Sequence, residues 1–239
     1  MTNREFLSTL RPRDTSPPGA QENWYTIAAV ALAAAGAGPD VTILYQLATE
    51  DTSLSEEKHI QRRLKEAILK TSILYGVPRS LQALLPLFAT LREEQIDHYG
   101  PRTEALANGE TDADRQRRAR EYFDTLWTPA AAQANRDKNF EYQPDLYLLN
   151  LEKIYELWIS EDTILSPVET QMCNLAALVC GGSPVQAMWH ARGVVRHGGT
   201  KEQIAFAQAI ALAVAVEYGC RIGAVVPVEE IPFGDVAPH

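Results

Sequence analysis

Cysteine is scarce in this chain, with three in 239 residues, Cys173, Cys180 and Cys220. An odd number without zinc-site or disulfide-framework spacing excludes a stapled secreted scaffold and points to a reduced, intracellular protein. Positive charge is also in deficit. Against 31 Asp and Glu stand 22 Lys and Arg, a net charge of −9, which repels a phosphate backbone and argues against nucleic acid as a partner. The basic run Arg115, Arg117, Arg118 and Arg120 is flanked by Asp112, Asp114, Glu121 and Asp124, the pattern of a solvated helix face. Long apolar runs are missing too. The longest, Ile27 to Ala37, is mostly alanine and reaches about half of the roughly 20 residues that a membrane span requires. It also lies too far inside to be a signal-peptide core. No Gly-rich phosphate loop, nucleotide fingerprint, zinc-type cluster or Ser-His-Asp arrangement is present, so no cofactor and no metal are expected. What remains is a soluble cytoplasmic protein with no membrane partner.

Helix-forming sequence fills this space. Alanine and aliphatic residues dominate Trp24 to Ala37, which Gly36, Gly38 and Pro39 stop before a second apolar helix, Val41 to Thr49. Ser53 and Glu56 sit at capping-box spacing ahead of an amphipathic helix from Glu57 to Tyr75. Gly76 and Pro78 launch another, from Ser80 to about Asp97, with a kink at Pro86. Thr111 and Asp114 cap a helix running to Trp127, and Pro144 opens a segment with Leu148, Leu151, Ile154, Tyr155 and Trp158 on one face. Between Thr163 and Gly219 only six residues are charged, about half the density of the whole chain, so that stretch must be largely buried. Three start signals lie within it: Ser166-Pro167 with Glu169, Ser183-Pro184 with Gln186, and Thr200 with Gln203. No run alternates with period two for long enough to be a strand. The fold class is all-α.

The expected organisation is an N-terminal arm over 1–20, carrying Pro12, Pro17, Pro18 and Gly19, and one helical domain over 21–239. Within that domain lie a first half over 21–98, a polar insertion over 99–142, a second half over 143–220 and a tail over 221–239. Gly76-Val-Pro-Arg-Ser-Leu-Gln82 echoes Gly181-Gly-Ser-Pro-Val-Gln186, which suggests two pseudo-repeated halves or a chance likeness.

His190 is the candidate for chemistry. It lies on the second turn of the Ser183-Pro184 helix in the least charged part of the chain. There it would act as general acid or base, or pack as a core histidine bonded to the backbone. His197 ends the same helix, where the dipole favours a cation. His59 and His98 lie in charged helices and face solvent, whereas Met172, Met188 and Trp189 suit core packing. Glu66 shares a helix face with Lys70 and Ile73; it would be a second carboxylate on the same cavity if the two halves pack as pseudo-repeats, and is otherwise expected to be exposed.

From Leu165 to Ile204 the chain resembles the carboxymuconolactone decarboxylase and alkylhydroperoxidase D-like superfamily. The likeness rests on Asn174-Leu-Ala-Ala-Leu-Val-Cys-Gly-Gly182, then His190, then Ala191-Arg-Gly193, then His197-Gly-Gly-Thr-Lys-Glu-Gln-Ile204. It covers about forty residues, with a looser match from Arg63 to Leu87, and implies an all-helical, homo-oligomeric fold. Peroxidase members carry Cys-x-x-Cys where this chain has Ser183 and Gln186, so an antioxidant peroxidase lacks its attacking and resolving thiols. The family glutamate, nineteen residues before the histidine, falls on Gln171, with Glu169 two positions earlier.

The decarboxylase branch keeps the histidine without the cysteines. The resemblance therefore implies a cofactor-independent enzyme acting on a small carbonyl- or lactone-containing acid by decarboxylation, isomerisation or cyclisation. His190 would be the proton-transfer group and Glu169 the second catalytic residue. Gln171, Ser183 and Gln186 would bind substrate, and Arg192 or Arg196 would fix its carboxylate. Glu169, Ser183 and Gln186 equally read as capping residues. A non-catalytic ligand-binding or scaffold protein that keeps the fold is the alternative.

Overall fold

The computed structural model describes residues 1–14 and 21–234 and is all-α, with no strand among them. The helices are α1 (Asn3–Ser8), α2 (Trp24–Ala35), α3 (Val41–Ala48), α4 (Leu54–Tyr75), α5 (Val77–Phe88), α6 (Pro101–Ala107), α7 (Asp112–Trp127), α8 (Pro129–Tyr142) and α9 (Pro144–Tyr147). The last of these continues into a π-helix, Leu148–Ile159, followed by α10 (Pro167–Cys180), α11 (Pro184–Arg196) and α12 (Lys201–Glu217).

The main core is built on α2. Its residues from Trp24 to Ala34 are all buried, because alanines let α4, α10 and α12 approach from every side. Gly36 ends it with φ +81°, a left-handed cap that frees the Ala37 N–H to donate to the Leu32 carbonyl at 2.9 Å. At the other end Asp14 Oδ2 accepts from the N–H groups of Asn23 (2.6 Å) and Trp24 (2.8 Å), satisfying donors that a helix start leaves open. α10 and α12 carry the full capping boxes expected of Ser166 with Glu169 and Thr200 with Gln203, and α7 that of Thr111 with Asp114.

A second, smaller core lies apart from the first. Ala119, Tyr122, Phe123 and Leu126 of α7 pack with Ala132 of α8 and with Tyr155 and Ile159 of the π-helix. The segment expected as a polar insertion thus supplies three helices, two of which bury aromatic or alanine faces of their own. α7 also packs on α11, so the two cores meet there.

Other local expectations change. The first twenty residues begin with a helix, α1, whose Phe6 and Leu7, with the following Leu10, are buried in the main core. Pro17, Pro18 and Gly19 of the expected arm, and residues 235–239 of the tail, lie outside the described residues. α5 stops at Phe88 rather than near Asp97, because Pro86 sits in its last turn and the charged stretch after it forms only a short 3-10 turn, Glu93–Gln95. Glu66 is buried, not exposed, Lys70 on the same face is buried with it, and Trp189 is 37% exposed rather than in the core. His59 and His98 face solvent as expected.

Gly38 marks the tightest approach in the first half. A Cβ there would lie 2.7 Å from Ala83 N and from Gln82 C, both backbone atoms of α5. Gly38→Ala should therefore destabilise the protein by about 1–3 kcal/mol through overpacking. The midpoint of denaturant unfolding reads this directly; an unchanged midpoint would contradict the close approach.

Candidate functional site

Residues 170 and 171 of α10 point to different buried neighbours, Thr170 to Lys70 and Gln171 to Tyr122 and His190. The Gln171 amide crosses from one core to the other. Its Nε2 donates to Tyr122 Oη of α7 at 2.8 Å, and its Oε1 lies 2.6 Å from His190 Nδ1 of α11. With Nε2 of the amide on the tyrosine side, Oε1 faces the imidazole and can only accept, so Nδ1 carries the imidazole proton and Nε2 is the bare nitrogen. Gly193 keeps this space open. A Cβ on it would stand 2.5 Å from Leu126 Cδ1 and 2.8 Å from Gln171 Oε1.

His190 is thereby held as a neutral ring. Burial, with His197 nearby, pushes it down to about 4. His197 does not serve as a cation at the helix end. Its ring lies against that of Tyr122 at 4.5 Å and 38°, and burial together with Lys70 lowers it to about 4 as well. Burial also pushes the Tyr122 hydroxyl well above the ordinary phenol range. At neutral pH the Tyr122–Gln171–His190 chain and its neighbour His197 are uncharged. A base with so low an affinity for protons is poorly matched to proton transfer near pH 7.

The remaining expected site residues are not brought to His190. Glu169 faces the opposite way, as two positions on a helix require. Its Oε1 accepts from Arg63 Nη2 at 2.8 Å and its Oε2 from the Ser166 N–H and hydroxyl, both at 2.8 Å. Burial alone would raise this carboxyl; Arg63 and Ser166 outweigh it and hold the group below its ordinary range. Ser183 is the N-cap of α11 but makes no capping bond through its side chain, and Gln186 is exposed. Arg192 is half-buried on α11, and Arg196 Nη1 donates to the Leu126 carbonyl at 2.6 Å. Cys173 is buried, and burial pushes its thiol up to about 12.

Sequence reasoning missed the charged residues of α4. Arg63 is buried and donates to Tyr25 Oη (2.9 Å), Asn23 Oδ1 (2.7 Å) and Glu169, tying α2, α4 and α10 together. Lys70 is fully buried, donates to Thr170 Oγ1 at 2.8 Å, and is pushed down to about 8 by burial, with Glu66 opposing the shift. Arg102 of α6 grips Glu66 with both terminal nitrogens (2.7 and 3.0 Å) and donates to the Leu157 and Trp158 carbonyls at the end of the π-helix. The available signal was positional. Arg63, Glu66 and Lys70 recur at helical spacing beside the apolar face of Ile60, Leu64 and Ala67.

Two clefts flank Arg102, of about 370 Å³ and 260 Å³, and a third of about 410 Å³ opens between α7, α8 and the π-helix. None of the three is lined by His190, Gln171, Ser183 or Gln186. Among the described residues no group of His, Cys, Asp and Glu stands together to hold a metal ion, and no helix is long and apolar enough to cross a membrane.

No family model matches the chain, and no solved structure matches it significantly. Two curated fungal proteins do. One, from Schizosaccharomyces pombe, is named Peroxisomal protein 2 and is 29% identical over 162 residues, covering 68% of this chain and 73% of its own length. The other, from Saccharomyces cerevisiae, has the same name and is 23% identical over 178 residues, covering 66% of this chain and 62% of its own length. These names, with no matching family model, overturn the expected membership of the carboxymuconolactone decarboxylase and alkylhydroperoxidase D-like superfamily. They overturn with it the decarboxylase, lyase or isomerase activity and the cytoplasmic location. The physical reason is that small residues, capping pairs and helix-ending glycines in order are what closely packed buried helices need in general. They carry little chemistry of their own.

The neutral histidines have a consequence for stability. Their folded affinities lie below the ordinary 6.5. As pH falls below that value the unfolded chain takes up protons first, so stability is present above about 6.5 and is lost as pH drops towards 4. His197→Phe keeps a ring on Tyr122 and removes one titrating group. It should reduce the loss over that window by an amount on the order of 3 kcal/mol, measured by urea unfolding at each pH. The same loss in both proteins would contradict the assignment.

Proposed function

We propose that this chain is a peroxisomal, non-catalytic protein that binds a small organic ligand. The observation that carries the non-catalytic reading is the His190–Gln171 bond. The one imidazole placed for proton transfer spends its N–H on an amide and has a proton affinity near 4. The titratable group that acts on it is another histidine, itself neutral near pH 7, and Glu169 is committed to Arg63 and Ser166. Such a group positions helices; it is poorly suited to a reaction near neutral pH. The names of the two fungal relatives support the organelle. Clefts flanking a locked arginine, away from the histidines, support ligand binding.

Val77, Leu81, Leu85 and Phe88 form an exposed apolar stripe along α5, and this supports self-association of the chain. Leu81→Glu with Leu85→Glu should lower the mass found by sedimentation; a wild-type monomer contradicts it.

The location and the absence of turnover are tested together. A fluorescent fusion of the full chain, made at each end in turn and expressed in Schizosaccharomyces pombe, should coincide with a peroxisomal matrix marker. The purified chain, incubated with a peroxisomal small-molecule extract, should retain a compound on gel filtration without changing the composition of the pool. Diffuse cytosolic fluorescence from both fusions would overturn the location. Consumption of a compound by the wild type and not by His190→Asn would overturn the non-catalytic reading.

A further inference from the structure

We infer that the cleft between α4, α6 and the end of the π-helix binds a monocarboxylate with an apolar body, of medium-chain fatty-acid size. The inference rests on the ligand-binding reading above and names its site and ligand class. At about 370 Å³ the cleft stands at the small end of the range for ligand pockets, about 300–1,000 Å³. Leu69, Leu157, Trp158 and Ile164 give it apolar walls, and Arg62, Lys65 and Arg102 bring positive charge to it.

These cations are not equally satisfied. Arg102 is locked, with Glu66 on both terminal nitrogens, two backbone carbonyls on its N–H groups and the Trp158 ring 5.1 Å away. Arg62 holds Asp97 through two bonds, at 2.6 and 3.2 Å, and lies over Tyr99 at 4.4 Å. Lys65 has no carboxylate of its own. Asp97 Oδ1 is 4.0 Å from its Nζ and is already engaged by Arg62, so the ammonium is left with the Gln61 side-chain oxygen at 3.3 Å and the Asp97 carbonyl at 2.5 Å. Two of its three N–H donors are used.

The pairing inside the cleft agrees. Glu66 answers Arg102 and Asp97 answers Arg62, which leaves Lys65 as the lining cation that shares a carboxylate already engaged. Burial lowers the affinity of Lys65 for its proton, a penalty that an anion seated beside it would relieve. A single carboxylate at Lys65 would take up its third N–H, while the four apolar side chains accept a hydrocarbon body.

Isothermal titration of the full chain with decanoate tests this. Saturable binding at one site per chain is expected. Decanol, with the same body and no charge, should bind at least tenfold more weakly, as should decanoate to Lys65→Met checked for folding by its melting curve. From octanoate to decanoate the affinity should rise about fourfold per methylene. The tryptophan emission change on binding should disappear in Trp158→Phe. Absence of saturable decanoate binding by the folded wild type overturns the inference, and so does decanol binding as tightly as decanoate. Neither outcome depends on a variant that has to fold. Both leave the location and turnover results untouched, so the two readings fail separately.

Discussion

The amide of Gln171 has a donor and an acceptor to place where two hydrophobic cores meet, and its two hydrogen bonds set the geometry around it. The donor end fixes the Tyr122 hydroxyl and through it α7; the acceptor end fixes the His190 ring and through it α11. A buried amide left half-bonded costs about 1–3 kcal/mol, so both bonds have to form together. Gly193 shows how tightly this is built, because even a methyl group there would collide with the Gln171 oxygen and with Leu126. The smaller aromatic core is thus keyed to the alanine-rich one by a specific polar contact, whereas apolar packing alone would tolerate slippage.

Thr170, the neighbouring residue on α10, does the same towards α4. There the polar group is a fully buried lysine, an expensive choice in a helix surrounded by alanine and leucine. Lys70, Glu66 and Arg102 form a connected set in which the arginine also holds carbonyls at the end of the π-helix. α6, only seven residues long, is anchored by charge more than by burial. The cleft beside it is bordered by the same arginine.

Much of the architecture was legible before any coordinates. The alanine-rich α2, the capping boxes of α7, α10 and α12 and the glycine stops follow from local rules that depend on neighbours within four residues. What failed was long-range. Nothing local tells that Phe6 and Leu7 dock on the main core, or that the polar stretch over 99–142 turns Tyr122 and Phe123 inward to build a core with the π-helix. Glu66 looked exposed because charged residues on an amphipathic helix usually are; its burial, and that of Lys70 beside it, depends on Arg102 and Thr170, 36 and 100 residues away. His190 was found by its uncharged surroundings, and Gln171 only through the family resemblance, which places a glutamate nineteen residues before the histidine. The partner that gives the pair its meaning, Tyr122, lies 49 residues from Gln171 and carried no signal.

The same surroundings separate two readings of one imidazole. A histidine kept neutral by burial and spent on an amide is a structural element; one poised near neutrality is a reagent. Nitrogen-detected NMR of the imidazole side chains, with His190→Asn identifying its signals, distinguishes them on the intact protein. His190 is expected to stay neutral, with its proton on Nδ1, from pH 8 down to about pH 5 and to titrate near 4. A midpoint between 6 and 7, or a proton on Nε2 at neutral pH, would contradict it.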